Sequence, residues 1–281
     1  MDGILLINKP IGFTSRDCVN YLMKRLGTRK IGHTGTLDPF ASGLLIITVN
    51  KATRISNYLE NLNKTYIAEL KLGEDTSTLD LEGEVLETKE VTLPLDKEKI
   101  LEVFSSFIGD IKQVPPMYSA IKVNGEELYK KARRGEVVER KERDVHIDNI
   151  ELLSITKEKI LFKVDCSKGT YIRTLGEDIA HKLGYPGHLT MLTRMKVGSF
   201  ELKNAVKLEE VEEKDFISIS KALSHMETLT LNERDEVKVR NGVKMKFTAG
   251  DLLYLQNKKN EPLAIYQKKD DGFYHCLRGL W

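Results

Sequence analysis

Apolar positions along the 281-residue chain recur at two spacings, every second residue in some stretches and every third or fourth in others, so strands and helices are both expected. Ile4 to Ile7 is a continuous apolar run ended by Asn8-Lys9-Pro10-Ile11-Gly12 and reads as a buried strand. Thr14 with Asp17 forms a capping box, Val19, Leu22, Met23 and Leu26 follow at helical spacing, and Gly27 supplies the stop. Leu44 to Val49 is strand-like, Ile55, Tyr58, Leu59 and Leu62 mark a second helix, and Tyr66, Ala68, Leu70 and Leu72 alternate as one face of a strand. A third helix carries Ile100, Val103, Phe104, Phe107 and Ile108. Ile160, Phe162, Val164 and Cys166 alternate again, and Ile172, Leu175, Ile179 and Leu183 form a helical stripe closed by Gly184. This order of elements predicts an α+β fold.

Two places break the pattern. Pro115-Pro116 opens a basic excursion, about residues 112–145, with a strand-turn signal at Asn124-Gly125 and an amphipathic Glu126 to Arg134 stretch capped by Gly135. It reads as an insertion. After the acidic patch Glu209 to Asp215 come short β-like pieces at Thr228 to Leu231, Leu252 to Leu255, Leu263 to Gln267 and Gly272 to Leu277. The reading is therefore a main domain over 1–227 and a small β-rich module over 228–281. No internal repeat points to a solenoid.

Composition narrows the class. The chain is 41% hydrophobic and 31% charged, which is globular, and its apolar runs are too short for a membrane span or a signal peptide. Cys18, Cys166 and Cys276 are odd in number and far apart, offering neither a disulfide framework nor a metal knuckle. The expectation is a soluble cytoplasmic protein. Net charge is only +2, but it is unevenly spread: residues 1–64 carry 9 basic and 4 acidic side chains, 65–110 carry 4 and 12, and 111–146 carry 9 and 6. A polyanion would fit several basic segments on one face with the acidic stretch turned away; solvated helix faces give the same totals.

Chemistry concentrates in Gly32-His33-Thr34-Gly35-Thr36-Leu37-Asp38-Pro39-Phe40-Ala41-Ser42-Gly43, a segment rich in glycine and hydroxyls with one carboxylate. It lacks the GxxxxGK[ST] and GxGxxG patterns of phosphate-cradling loops, and His33 has no spaced Cys or His partner for zinc. Asp38 reads equally as a chemical group and as the cap of a local Asx turn.

The segment Gly32 to Leu45 resembles the catalytic motif of the TruB family of tRNA pseudouridine synthases. Further stretches resemble that family in order: Asn8 to Ser15, Lys64-Thr65-Tyr66, Gln113 to Ala120 with Lys122, Gly125 and Tyr129, Cys166 to Arg173, and Gly187-His188-Leu189 with Leu192 and Arg194. The resemblance runs from residue 3 to about 200. It implies a pseudouridine-synthase fold with a mixed, mainly antiparallel sheet and flanking helices, plus a short PUA-like RNA-binding module at the C-terminus.

The resemblance implies isomerisation of the uridine at position 55 in the T loop of tRNA, by breaking the bond from N1 to C1′ and joining C5 to C1′. Atoms balance without redox change, so no cofactor and no metal are expected. Asp38 is then the catalytic carboxylate, either a nucleophile at C1′ or C6 or a base at C2′, alternatives the sequence leaves open. Arg173 is its expected cation, favouring ionisation and fixing orientation. Tyr66 is expected to be catalytic too, stacking on the uracil with its phenol helping to move the C5 proton, Tyr171 and Leu192 to wall the base pocket, and His33 to fill the gap left by the everted base. Lys9, with Pro10, is expected beside the catalytic loop among the substrate-binding residues. Lys122, Lys130, Lys131, Arg133 and Arg134 of the insertion are the expected phosphate contacts. The expected partner is the tRNA T arm, with no membrane and no guide RNA, and the expected state is a monomer. Two alternatives remain: the guide-RNA-dependent relative that shares the catalytic motifs, and a noncatalytic RNA-binding protein on the same fold.

Overall fold

In the computed structural model, residues 1–119, 121–123, 125–136 and 138–281 are described, Lys122 and Arg133 by backbone alone. Asn124 of the expected turn falls outside the described residues.

The main sheet has nine strands. Seven follow one another across it in the order Gly3–Lys9, Ser42–Val49, Gly187–Val197, Lys64–Leu72, Lys159–Cys166, Arg143–Thr156 and Gly109–Gln113. All these neighbours are antiparallel except Ser42–Val49 and Gly187–Val197, which run parallel with Thr193 opposite Ser42 and Arg194 opposite Gly43. The expectation of a mainly antiparallel sheet with flanking helices holds. The short strand Ile31–Thr34 adds to Ser42–Val49, so His33 belongs to a strand and the loop proper begins after Thr34.

The unbroken apolar run at Ile4 to Ile7 follows from burial of both its faces. Leu5 and Ile7, with Leu45, Ile47 and Val49 of the neighbouring strand, pack in one core beneath helices Ser15–Leu26 and Ile172–Leu183. Ile4, Leu6, Leu44 and Ile46 point to a second core, which Tyr254, Ile265 and Leu280 of the C-terminal module complete. Each fully buried leucine or isoleucine contributes roughly 1.5–3 kcal/mol, so the module is joined to the sheet by the hydrophobic effect and not only by its linker. Arg54 adds hydrogen bonds to the carbonyls of Gly279 and Trp281 at 2.9 and 2.8 Å.

The C-terminal strands Thr228–Leu231, Leu252–Asn257, Pro262–Lys268 and Tyr274–Gly279 form a four-stranded sheet in that order, close to the sequence reading. One helix there, Glu233–Arg240, was not expected. It is capped by Asn232 and buries only Val239, so its apolar stripe is too thin to read. The capping box at Thr14 and Asp17 forms as expected, with Gly27 left-handed at the helix end.

Gly43 fixes the parallel junction of the main sheet. Its φ is +102°, and a Cβ there would lie 2.5 Å from the Arg194 carbonyl oxygen and 2.8 Å from its nitrogen. Only glycine allows the strands to approach this closely. Gly43→Ala is expected to lower unfolding free energy by about 2 kcal/mol or more, read from urea denaturation; an unchanged midpoint contradicts this packing.

Candidate active site

The loop 35–41 is pinned from below before it presents any side chain. Leu37, Phe40 and Ala41 are buried in the core, the Ser15 hydroxyl accepts from the Leu37 amide at 2.8 Å, and the Pro39 carbonyl accepts from Gly12 at 2.8 Å. Lys9 is fully buried and donates to the carbonyls of Pro10 (3.0 Å), Phe13 (2.5 Å) and Pro39 (3.4 Å). It therefore ties the end of the first strand to the Asp38 loop. Lys9 lines neither cavity described below, so its contacts are to the protein and not to a ligand position. Burial lowers its pKa to about 8.

Between core-anchored Leu37 and Phe40, Asp38 points outward. Its two oxygens meet Arg173 side-on, Oδ2 to Nε at 2.9 Å and Oδ1 to Nη2 at 3.1 Å. No Asx turn forms, because both oxygens are committed to the guanidinium. Arg173, in the first turn of helix Ile172–Leu183, is only 3% exposed, whereas a third of the Asp38 side chain is open. The guanidinium also donates to the carbonyls of Thr78 and Tyr118, both at 2.7 Å, and lies 3.6 Å from the buried Asp80 carboxylate. Arg173 is thus held from several directions and cannot swing away with Asp38.

Burial raises the Asp38 pKa; Arg173 opposes that rise, Asp80 adds to it, and Lys9 opposes it at longer range. The expected preference for ionisation through Arg173 is present but is outweighed by desolvation. A carboxylate with a raised pKa is more basic and more nucleophilic than one in water.

Two cavities meet at this pair. The first, of about 650 Å³, is lined by Asp38, Tyr66, Tyr171, Arg173 and Leu192 among others, bringing together four expected site residues around the carboxylate. Tyr66 and Leu192 come from the neighbouring strands Lys64–Leu72 and Gly187–Val197, while Tyr171 precedes the Arg173 helix and is fixed by Gln113. Gln113 accepts from the Tyr171 amide at 3.0 Å and donates to its carbonyl at 3.3 Å. Burial raises the pKa of both phenols, keeping them protonated donors. The second cavity, of about 890 Å³, contains His33, whose pKa burial and two nearby arginines lower, so the imidazole is neutral at pH 7.

The sequence reading missed Asp80. The acidic stretch does not face away throughout: Asp80, Glu82 and Glu84 line the second cavity. Asp80 was hidden by its acidic surroundings, although Thr76-Ser77-Thr78 just before it is the kind of hydroxyl cluster that holds a buried carboxylate; Thr78 donates to it at 2.5 Å. Arg194 was quoted for resemblance only. It is 1% exposed and donates to the carbonyls of Leu44 (2.7 Å) and Gly35 (2.9 Å), so it locks both ends of the Asp38 loop.

In the insertion, Lys130, Lys131 and Arg134 face acids of their own segment. Lys130 lies 2.8 Å from Glu127, Arg134 pairs with Glu126 at 2.6 Å and Glu136 at 2.7 Å, and Lys131 is 3.9 Å from Glu126 and Glu136. The side chains of Lys122 and Arg133 lie outside the described residues. Among the described residues, Asp75, Glu177 and His181 gather metal-type donor atoms within 4.8 Å, but they line neither cavity.

A carboxylate held side-on by a guanidinium, facing a cavity that two tyrosines and a leucine share, is the arrangement of an enzyme site open to a planar, partly apolar ligand. Residues 23–172 match the N-terminal domain model of the TruB family pseudouridylate synthases, and residues 173–229 match the C-terminal domain of tRNA pseudouridylate synthase B. Curated relatives named tRNA pseudouridine synthase B include those of Geobacillus thermodenitrificans, 43% identical over 95% of each chain, and Bacillus subtilis, 42% identical over 95% of this chain and 93% of the other. Among solved structures, a chain from a Cbf5-Nop10-Gar1 complex aligns over 94% of this chain and 78% of that one, with a TM-score of 0.74 and 27% identity. The chain belongs to the TruB pseudouridylate synthase family and is an isomerase of that family.

Arg173→Lys keeps the charge but cannot meet Asp38, Thr78 and Tyr118 together. It is expected to cost about 1–3 kcal/mol of stability through unpaired buried acceptors, measured by urea unfolding; an unchanged unfolding curve contradicts the multipoint anchorage.

Proposed function

We propose that the protein converts the uridine at position 55 in the T loop of tRNA to pseudouridine, with Asp38 as the catalytic carboxylate. The observation that carries this reading is the outward-facing Asp38, held side-on by buried Arg173 at the rim of a cavity that Tyr66, Tyr171 and Leu192 share. The names of the bacterial relatives, which align over nearly the whole chain, support tRNA as the substrate. The guide-RNA reading is the weaker one, since the chain from the Cbf5-Nop10-Gar1 complex is 27% identical, against 42–43% for the relatives named tRNA pseudouridine synthase B. A noncatalytic role is disfavoured by the retention of Asp38, Tyr66 and Arg173 together.

The target uridine lies within a folded loop and must be everted to reach Asp38, a step costing a few kcal/mol of lost stacking. His33, neutral, half-buried on strand Ile31–Thr34 and lining the second cavity, suits the vacated position in the stack. In the cavity the uracil stacks on Tyr66, with Tyr171 and Leu192 limiting water. The bond from N1 to C1′ breaks, the ring turns, and C5 bonds to C1′; C5 then gives up its proton while N1 takes one up, so the product is an isomer, and the protonated Tyr66 phenol relays the proton by accepting at its oxygen as it releases its own. Asp38 acts either as a nucleophile at C1′ or C6 or as a base at C2′, and each role requires the ionised carboxylate. Water must stay out, because it would hydrolyse the glycosidic bond. In this reading residues 1–227 are the catalytic domain, the 112–145 insertion lies over the bound RNA, and residues 228–281 form a PUA-like module.

The test uses a tRNA transcript carrying tritium at uridine C5. The protein is expected to release the T-loop tritium without guide RNA. Asp38→Asn is expected to bind the same tRNA and release none; equal release by the variant overturns the role of Asp38.

Activity is expected to fall as pH drops through the Asp38 pKa. Because burial and Asp80 raise that pKa above the ordinary value of about 3.9 despite Arg173 and Lys9, the acid limb should lie above it. A single-turnover rate that is flat down to pH 4 contradicts this assignment.

A further inference from the structure

Charge is sorted between the two cavities that meet at Asp38. The second presents Asp80, Glu82 and Glu84 with Arg16. The first presents Lys64, Arg143, Lys168 and Arg194, and its carboxylates besides Asp38 are Glu60 and Asp144. Among the described residues no ion pair engages Lys64, Arg143 or Lys168. Lys168 donates to the neutral Asn61 amide oxygen at 2.8 Å, and Lys64 to the Glu60 carbonyl.

The sheet explains why these three cations share a rim. Lys64 begins its strand opposite Cys166, Cys166 is opposite Ile147 on the next strand, Arg143 starts that strand, and Lys168 follows Cys166 by two residues. All three therefore sit at one end of three adjacent strands, beside Tyr66 and Tyr171. Arg143 and Lys168 are exposed and Lys64 is buried. Arg143 closes the insertion, but the insertion helix Leu128–Arg133 and its cap differ: Lys130 and Arg134 are already neutralised by Glu127, Glu126 and Glu136.

We propose that Lys64, Arg143 and Lys168 are positioning residues that hold the phosphates flanking the everted uridine, and that this rim, more than the insertion helix, supplies the electrostatic grip on the RNA backbone. The proposal rests on the RNA-isomerase reading above. A phosphodiester flanks every nucleotide on both sides, so a nucleotide entering the first cavity brings anions to its mouth, where cations without ion partners meet them. The acid-lined second cavity repels the same phosphates and so sets which way the backbone runs. Burial lowers the Lys64 pKa to about 8, and an incoming phosphate compensates the desolvated ammonium. Lys130 and Arg134 at the insertion helix must first give up their carboxylates, which reduces their net gain from RNA.

Binding of a T-arm RNA hairpin is to be measured from 50 to 300 mM KCl in the Asp38→Asn background, which prevents turnover. Arg143→Gln and Lys168→Gln are each expected to reduce the slope of log affinity against log salt by about 0.7–0.9. Lys64→Gln should do the same if its thermal melt is unchanged, and the two exposed variants carry the test if it is not. The double variant Lys130→Gln/Arg134→Gln is expected to keep the parent slope. Unchanged slopes in Arg143→Gln and Lys168→Gln overturn the proposal, as does a reduced slope confined to the insertion variant. Tritium release by the Asp38-intact protein is read in parallel: its absence, with the rim slopes still reduced, overturns the isomerase reading and leaves the phosphate contacts standing.

Discussion

The structure depends on one unfavourable arrangement made tolerable, a carboxylate held in a desolvated recess by a buried guanidinium. Left alone there, Asp38 would take up a proton or turn to local backbone. Arg173 prevents the second and limits the first. The guanidinium is itself buried and kept in place by the Thr78 and Tyr118 carbonyls and the Asp80 carboxylate. What faces the cavity is therefore a carboxylate of fixed direction and raised basicity, ready to act without a rearrangement of its own.

Much of the fold serves that direction. Lys9, Ser15, Gly12 and Arg194 each bind the Asp38 loop, from two helix and strand ends on one side and from a distant strand on the other. Gly43 lets the Arg194 backbone close against the loop's exit. The cost of burying Lys9 and Arg194 is offset by carbonyl acceptors rather than by carboxylates, which keeps extra negative charge away from Asp38. The apolar first strand, packed on both faces, gives these groups a rigid base.

How much of this was legible in the sequence depended on whether burial was apolar. Strands and helices with clean periodicity, such as Tyr66 to Leu72 and Ile172 to Leu183, were read close to their true bounds. Two long strands of the sheet were not. Arg143–Thr156 buries only Val145, Ile147 and Ile150, and bulges interrupt its pairing, so its alternation is broken. Gly187–Val197 buries His188 and Arg194, polar residues whose presence in a core depends on partners far away in sequence. The same limit hid Asp80. Asp38 and Arg173, 135 residues apart, were joined by resemblance and not by any local signal. The charge of the insertion was countable, but its internal neutralisation needed three dimensions.

The central claim is that this site, unaided, rearranges one nucleoside in one RNA loop. Its most direct test maps pseudouridine nucleotide by nucleotide in an unmodified tRNA transcript after incubation with the protein in chelator and without guide RNA. One new pseudouridine at position 55 of the T loop is the outcome expected here. An unmodified T loop, or modification only at other uridines, contradicts the account.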